Sequence, residues 1–159
     1  MKKIKVLFVC MGNICRSPMA EGIFTEKARQ RGYADYLIVD SAGTHDYHIG
    51  APPDARAQQT MLAAGYDISD LRGRQVSIDD LINYDYILAM DDNNLSHLKR
   101  MAGPNLHKVD LFLRFSEKYT DQCVPDPYYG DQHNFDQVLL MSEDAAQGLL
   151  TDIASNHMC

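Results

Sequence analysis

The chain has 159 residues, 45% of them hydrophobic and 23% charged, enough for one folded unit, residues 1–159, with a substantial core. Its net charge of -7 argues against nucleic acid and membrane surfaces as partners, so an anion can be held only by a locally positive site. No apolar run approaches a membrane span, Lys2, Lys3 and Lys5 interrupt any secretory leader, and Cys10, Cys15, Cys123 and Cys159 form no zinc spacing; a cytoplasmic, metal-free protein is expected.

Ile4–Val9 is short, apolar and partly β-branched, and reads as a buried parallel strand. A turn with Gly12 and Asn13 follows. A helix then starts near Pro18, with Ala20, Ile23, Phe24 and Ala28 as its stripe, Glu21 in its first turn and Gly32 at its end. Tyr36–Asp40 is a second strand and Ser41–Gly50 a loop bearing Tyr47. Pro52 and Pro53 open a second helix, which runs through Met61 and Leu62 to Gly65. Asp67–Val76 is irregular. Ser77 caps a short helix, and Tyr86–Met90 is a third strand. Asp91–Met101 is a helix stopped by Gly103-Pro104, and Lys108–Leu111 a fourth strand. A long connection from Arg114 carries Asp126, and Phe135–Ala154 is the last helix. The alternation predicts an α/β single domain: a central four-stranded parallel sheet with helices on both faces and ligands beyond the strand C-termini.

Cys10 stands at such an end. A helix N-terminus and a nearby cation favour the nucleophilic thiolate, and both lie next along the chain. Five residues separate Cys10 from Arg16, enough for a loop of backbone N–H groups to curl round a tetrahedral anion. Gly12 and Asn13 are the residues suited to left-handed angles in that curl. Arg16 offers a planar fork for two phosphoryl oxygens. Ser17 has two open roles: helix cap with Pro18 at the first position, or hydrogen bond to the thiolate. His45 and His48 share a loop without further ligands and read as solvated histidines.

Cys-x5-Arg-Ser after the first strand, joined to Asp126-Pro127-Tyr128-Tyr129-Gly130, resembles the low-molecular-weight protein tyrosine phosphatases. Asp40-Ser41-Ala42-Gly43-Thr44, Arg74-Gln75 and Asp85–Asp91 extend the resemblance over nearly the whole chain. It implies hydrolysis of phosphotyrosine in proteins without a cofactor. Cys10 would be the nucleophile and Arg16 the phosphate clamp. Asp126 would be the general acid, a step worth about 10²–10⁴-fold. Met11, Gly12, Asn13, Ile14, Cys15 and Ser17 would line the phosphate site, and Tyr47, Tyr128 and Tyr129 would wall the phenol ring. Asn13 and Ser41 match positions that hold the loop in shape. Many relatives carry His where Leu71 stands, so one loop-bracing hydrogen bond is in question. Cys15 matches a residue that rescues an oxidised nucleophile by a disulfide; packing under the loop is the alternative. Cys123 and Cys159 read as inert. Tyrosines at the matching positions can be phosphorylated, which makes a cognate tyrosine kinase a possible partner.

Two other functions compete. Protein arginine phosphatases resemble the chain but usually carry Thr where Ile14 stands, and they lack the paired tyrosines. A non-catalytic phosphotyrosine- or oxyanion-binding module would be expected to lack Cys10 or Asp126. Thioredoxin-linked arsenate reductases need two further mid-chain cysteines, and none lies between Cys15 and Cys123.

Overall fold

A computed structural model describes residues 2–158. Four strands, β1 (Ile4–Cys10), β2 (Leu37–Gly43), β3 (Tyr86–Ala89) and β4 (Val109–Leu111), form one parallel sheet in the order β2-β1-β3-β4. Among the described residues five α-helices accompany it: α1 (Arg16–Gln30), α2 (Ala55–Ala63), α3 (Ile78–Asn83), α4 (Asp92–Ala102) and α5 (Gln132–His157).

The period-2 alternation of β1 divides the core. Val6, Phe8 and Cys10 face the layer built with α1 and α5, whereas Leu7 and Val9 face Leu81 of α3 and Leu98 of α4. Phe8 anchors the larger layer, edge-on to Phe24 at 5.7 Å and Phe112 at 5.0 Å. Close approach matters at Gly148 on α5, where a Cβ would fall 1.8 Å from the Phe115 carbonyl oxygen.

The element boundaries differ from the sequence reading in ways that shape the site. β2 continues through Ser41 and Ala42 to Gly43, because Phe8, Val9 and Cys10 supply a ladder partner for each of these weak strand formers. α1 starts at Arg16, so Ser17 lies inside the helix and Glu21 lies beyond its first turn. α2 starts after Asp54, whose carboxylate accepts from the Arg56 N–H, rather than at the prolines. α5 begins three residues early because Asp131 and Asn134 form a reciprocal cap. Asp91 likewise lies outside α4 as its cap.

Candidate active site

β1 delivers Cys10 to the C-terminal edge of the sheet, and the chain folds back over it before entering α1. Asn13 takes the left-handed conformation, φ 58°; Gly12 does not share it, contrary to the sequence expectation. Both sides of the loop are tied to neighbouring backbone. Thr44 N–H donates to the Cys10 carbonyl at 2.8 Å, His45 N–H to Met11 at 3.1 Å, and Asp54 N–H to Ile14 at 2.8 Å.

The sulfur itself is held by donors. Asn13 N–H lies 3.3 Å from Cys10 Sγ, and Ser17 Oγ lies 3.0 Å from it. Asn13 Nδ2 donates to Ser17 Oγ at 2.8 Å and to Ser41 Oγ at 3.0 Å. With its oxygen accepting from Asn13, Ser17 can turn its O–H toward sulfur and stabilise negative charge there. Of the two roles open to Ser17, the cap falls away: Cys15 occupies the cap position, and no side chain caps α1.

Asn13 Oδ1 accepts from the Arg74 N–H at 3.0 Å, so backbone braces the loop on that side. Leu71 packs against the core instead of offering a polar group. Ser41 Oγ in turn donates to Glu21 Oε1 at 2.7 Å. A continuous buried chain therefore runs Cys10, Ser17, Asn13, Ser41, Glu21. Burial, then Asp40, push the Glu21 carboxyl up to about 7, against the lowering effects of Ser41 and Arg74.

Arg16 is 2% exposed. Its Nη1 donates to Asp91 Oδ2 at 2.6 Å and to the Val124 carbonyl at 3.1 Å; Nη2 lies 3.7 Å from Asp126 Oδ2. Burial draws the guanidinium down, but Cys10, Asp91 and Asp126 outweigh it and keep it above its ordinary value. Asp126 approaches from the long connection, which Val124 N–H fastens to the Met90 carbonyl at 2.8 Å. Its Oδ1 accepts from Tyr128 N–H at 3.1 Å, leaving Oδ2 toward the site.

Cys10, Arg16 and Asp126 open into one pocket of about 340 Å³. Met11, Gly12, Ile14 and Cys15 form its base, and Tyr47, Tyr128 and Tyr129 its rim. Asn13 and Ser17 act from behind the loop and do not line the pocket. Cys15 is buried; burial, then Asp54, Cys10 and Asp126, push its thiol well above the ordinary range, so it stays protonated. Cys123 is half-buried, and Cys159 lies outside the described residues.

The sequence reading missed the place of three residues in the site. His48, read as a solvated histidine, is half-buried and lines the pocket. Asp91 orients Arg16; its signal was its place just after the third strand, at the sheet edge where ligands collect. Arg56 donates to the Tyr128 carbonyl at 3.0 Å, with its guanidinium 5.6 Å from the Tyr128 ring and 4.8 Å from that of Phe135. It ties the tyrosine loop to α2 and α5, and nothing local in the sequence marked it. No group of His, Cys, Asp and Glu among the described residues has the arrangement of a metal site.

A family model described as low molecular weight phosphotyrosine protein phosphatase matches residues 5–158. The low molecular weight protein-tyrosine-phosphatase YfkJ of Bacillus subtilis is 42% identical over 151 residues, 94% of this chain and 96% of the relative. A protein tyrosine phosphatase structure from Entamoeba histolytica, with Hepes in its active site, superposes with a TM-score of 0.93 at 36% identity, covering 96% of this chain and 98% of the other. A Drosophila arginine phosphatase superposes at 0.89 with 35% identity, covering 96% and 99%.

Proposed function

The chain belongs to the low molecular weight phosphotyrosine protein phosphatase family and hydrolyses phosphotyrosine in proteins, and we propose that Cys10, Arg16 and Asp126 carry the reaction. The observation that supports this assignment most is their convergence in one pocket rimmed by Tyr47, Tyr128 and Tyr129.

Cys10 Sγ attacks phosphorus, and the S–P bond forms as the P–O bond to the phenol breaks. Arg16 and the loop N–H groups hold the equatorial oxygens, where charge stabilisation accelerates the step. Asp126 gives a proton to the phenol oxygen as the P–O bond breaks. Water then attacks the phosphoenzyme and gives its proton to Asp126. The S–P bond breaks, and thiolate and phosphate separate. The three rings make the entrance deep enough for the long phosphotyrosine side chain to reach sulfur, and too deep for phosphoserine.

One domain comprising residues 1–159 suffices for this chemistry. Substrates are phosphotyrosine-containing proteins; the net charge of -7 supports neither nucleic acid nor an anionic membrane as a partner. Among the described residues no helix is long and apolar enough to cross a membrane. A reducing cytoplasm would keep Cys10 a thiol, and Tyr129, 95% exposed, is open to a cognate tyrosine kinase.

The test is phosphate release, with chelator present, from matched peptides carrying phosphotyrosine, phosphoserine or phosphoarginine. Strong preference for phosphotyrosine is expected. Preference for phosphoarginine would overturn the roles given to Ile14 and the tyrosine rim. Binding of every peptide without turnover would mark a binding module.

A further inference from the structure

Beside the catalytic pocket lies a second recess of about 240 Å³, and Met11 lines both. Its walls come from the start of the loop after β2 and from α4. Thr44 and His45 form one side; Asn93, Ser96, His97 and Arg100 form the other. A run of neighbouring rings also links the two cavities. Tyr47, on the rim of the catalytic pocket, lies 5.0 Å from His45 at 20°, and His45 lies 6.0 Å from His97. Thr44 Oγ1 is 2.8 Å from His45 Nδ1 and orients that ring.

The recess holds one fixed positive charge, Arg100, and two imidazoles, in a chain whose net charge is -7. No carboxylate lines it. Among the described residues Arg100, like Arg31 and Arg72, forms no salt bridge within 4.0 Å, and unlike those two it lines this recess. Burial, then the positive surroundings of Arg100 and His45, lower the His97 imidazole below its ordinary value. The groups present, a guanidinium, two imidazoles, the amides of Asn93 and Asn94 and two hydroxyls, include the donors that hold an oxyanion.

We propose that this recess is a substrate subsite that binds an anionic group flanking the phosphotyrosine, with Arg100 and His97 as its principal donors. The inference rests on the phosphatase reading and adds sequence selectivity to it. An extended peptide advances about 3.3–3.6 Å per residue, and the two cavities adjoin at Met11, which lines both. The anion therefore belongs within about three residues of the phosphotyrosine. A carboxylate and a second phosphoryl group share the needed chemistry.

The experiment compares kcat and KM for phosphotyrosine peptides bearing Gln, Glu or a second phosphotyrosine at flanking positions on either side. The enzymes are the unmodified protein, Arg100→Gln and His97→Gln. In the unmodified protein an anion on one side should lower KM about fivefold, the upper reach of an exposed ion pair, with kcat unchanged. Arg100→Gln should erase that preference while hydrolysing the Gln peptide as before, which also controls for folding. A preference limited to the doubly phosphorylated peptide would support the subsite and identify a phosphoryl ligand. Equal KM for anionic and neutral peptides, or a preference that survives Arg100→Gln, would overturn the inference while leaving the phosphatase reading intact. No turnover of even the Gln peptide would overturn both.

Discussion

Asp91 uses its two carboxylate oxygens for two different tasks toward Arg16 and the fold. Oδ1 accepts from the Asn94 N–H at 2.9 Å and caps α4, and Oδ2 lies 2.6 Å from Arg16 Nη1. One end of α4 thereby fixes the direction of the Arg16 guanidinium, leaving its other edge to the pocket. Asp91→Asn can still cap the helix but loses the charge. It should lower kcat/KM about 10- to 100-fold through misplacement of Arg16 and also cost stability, because the buried guanidinium loses a charged partner. Asp91→Ala should add about 1 kcal/mol of destabilisation. Steady-state kinetics beside urea denaturation separates these effects; full activity in Asp91→Asn would deny Asp91 a positioning role.

Cys10→Ser should abolish turnover and retain binding of inorganic phosphate, because the loop N–H groups and Arg16 remain. Calorimetric titration of the variant, with a phosphate-release assay, checks both halves. Turnover near that of the unmodified protein would exclude the cysteinyl-phosphate intermediate.

In the proposed first step Asp126 acts on the leaving oxygen alone. Asp126→Ala should cost about 10²–10⁴-fold with aryl phosphates of poor leaving ability and much less with good ones. A plot of log kcat against leaving-group pKa should steepen in the variant. Equal losses across the series would remove Asp126 from the acid role.

The stretch from Cys10 to Ser17 was legible because its chemistry is local: one strand end, one loop, one helix start. The four strands were legible for a similar reason, since a short β-branched run between turn signals has few other uses. What stayed hidden depended on long-range contacts. Arg56 looks like any solvent-facing helix arginine until Tyr128 and Phe135 are folded over it. Ser41 and Gly43 read as loop because the β1 ladder that holds them is distant in sequence. Glu21 reads as a favourable first-turn acid, yet α1 begins early enough to carry it beneath the loop.

Cys15 remains a thiol because burial and neighbouring negative charge disfavour its thiolate. In this state it does not compete with Cys10 as a nucleophile, but it can condense with a sulfenic acid formed there, releasing water. Peroxide should therefore inactivate the protein with formation of a Cys10–Cys15 disulfide, and dithiothreitol should restore activity. Cys15→Ser should be inactivated irreversibly. Mass spectrometry finding sulfonic acid at Cys10 in both proteins would reject protection by Cys15.

Glu21 makes stability pH-dependent. Its folded value of about 7 lies above the roughly 4.3 of an unfolded glutamate. Between these values the folded state holds a proton that the unfolded chain has released, so stability falls as pH rises across the window and levels off above it. Ionising Glu21 in place costs on the order of 4 kcal/mol, since each pH unit of difference is worth about 1.4 kcal/mol. Ser41 and Arg74 already oppose that cost, whereas Asp40 adds to it. Glu21→Gln can still accept from Ser41 but has no charge to bury. Urea denaturation at pH 5 and pH 8 should show the unmodified protein losing more stability than Glu21→Gln over that interval. Parallel losses in the two proteins would mean that Glu21 titrates as an ordinary carboxylate, with the Ser41 hydrogen bond and Arg74 sufficient to hold its charge under the loop.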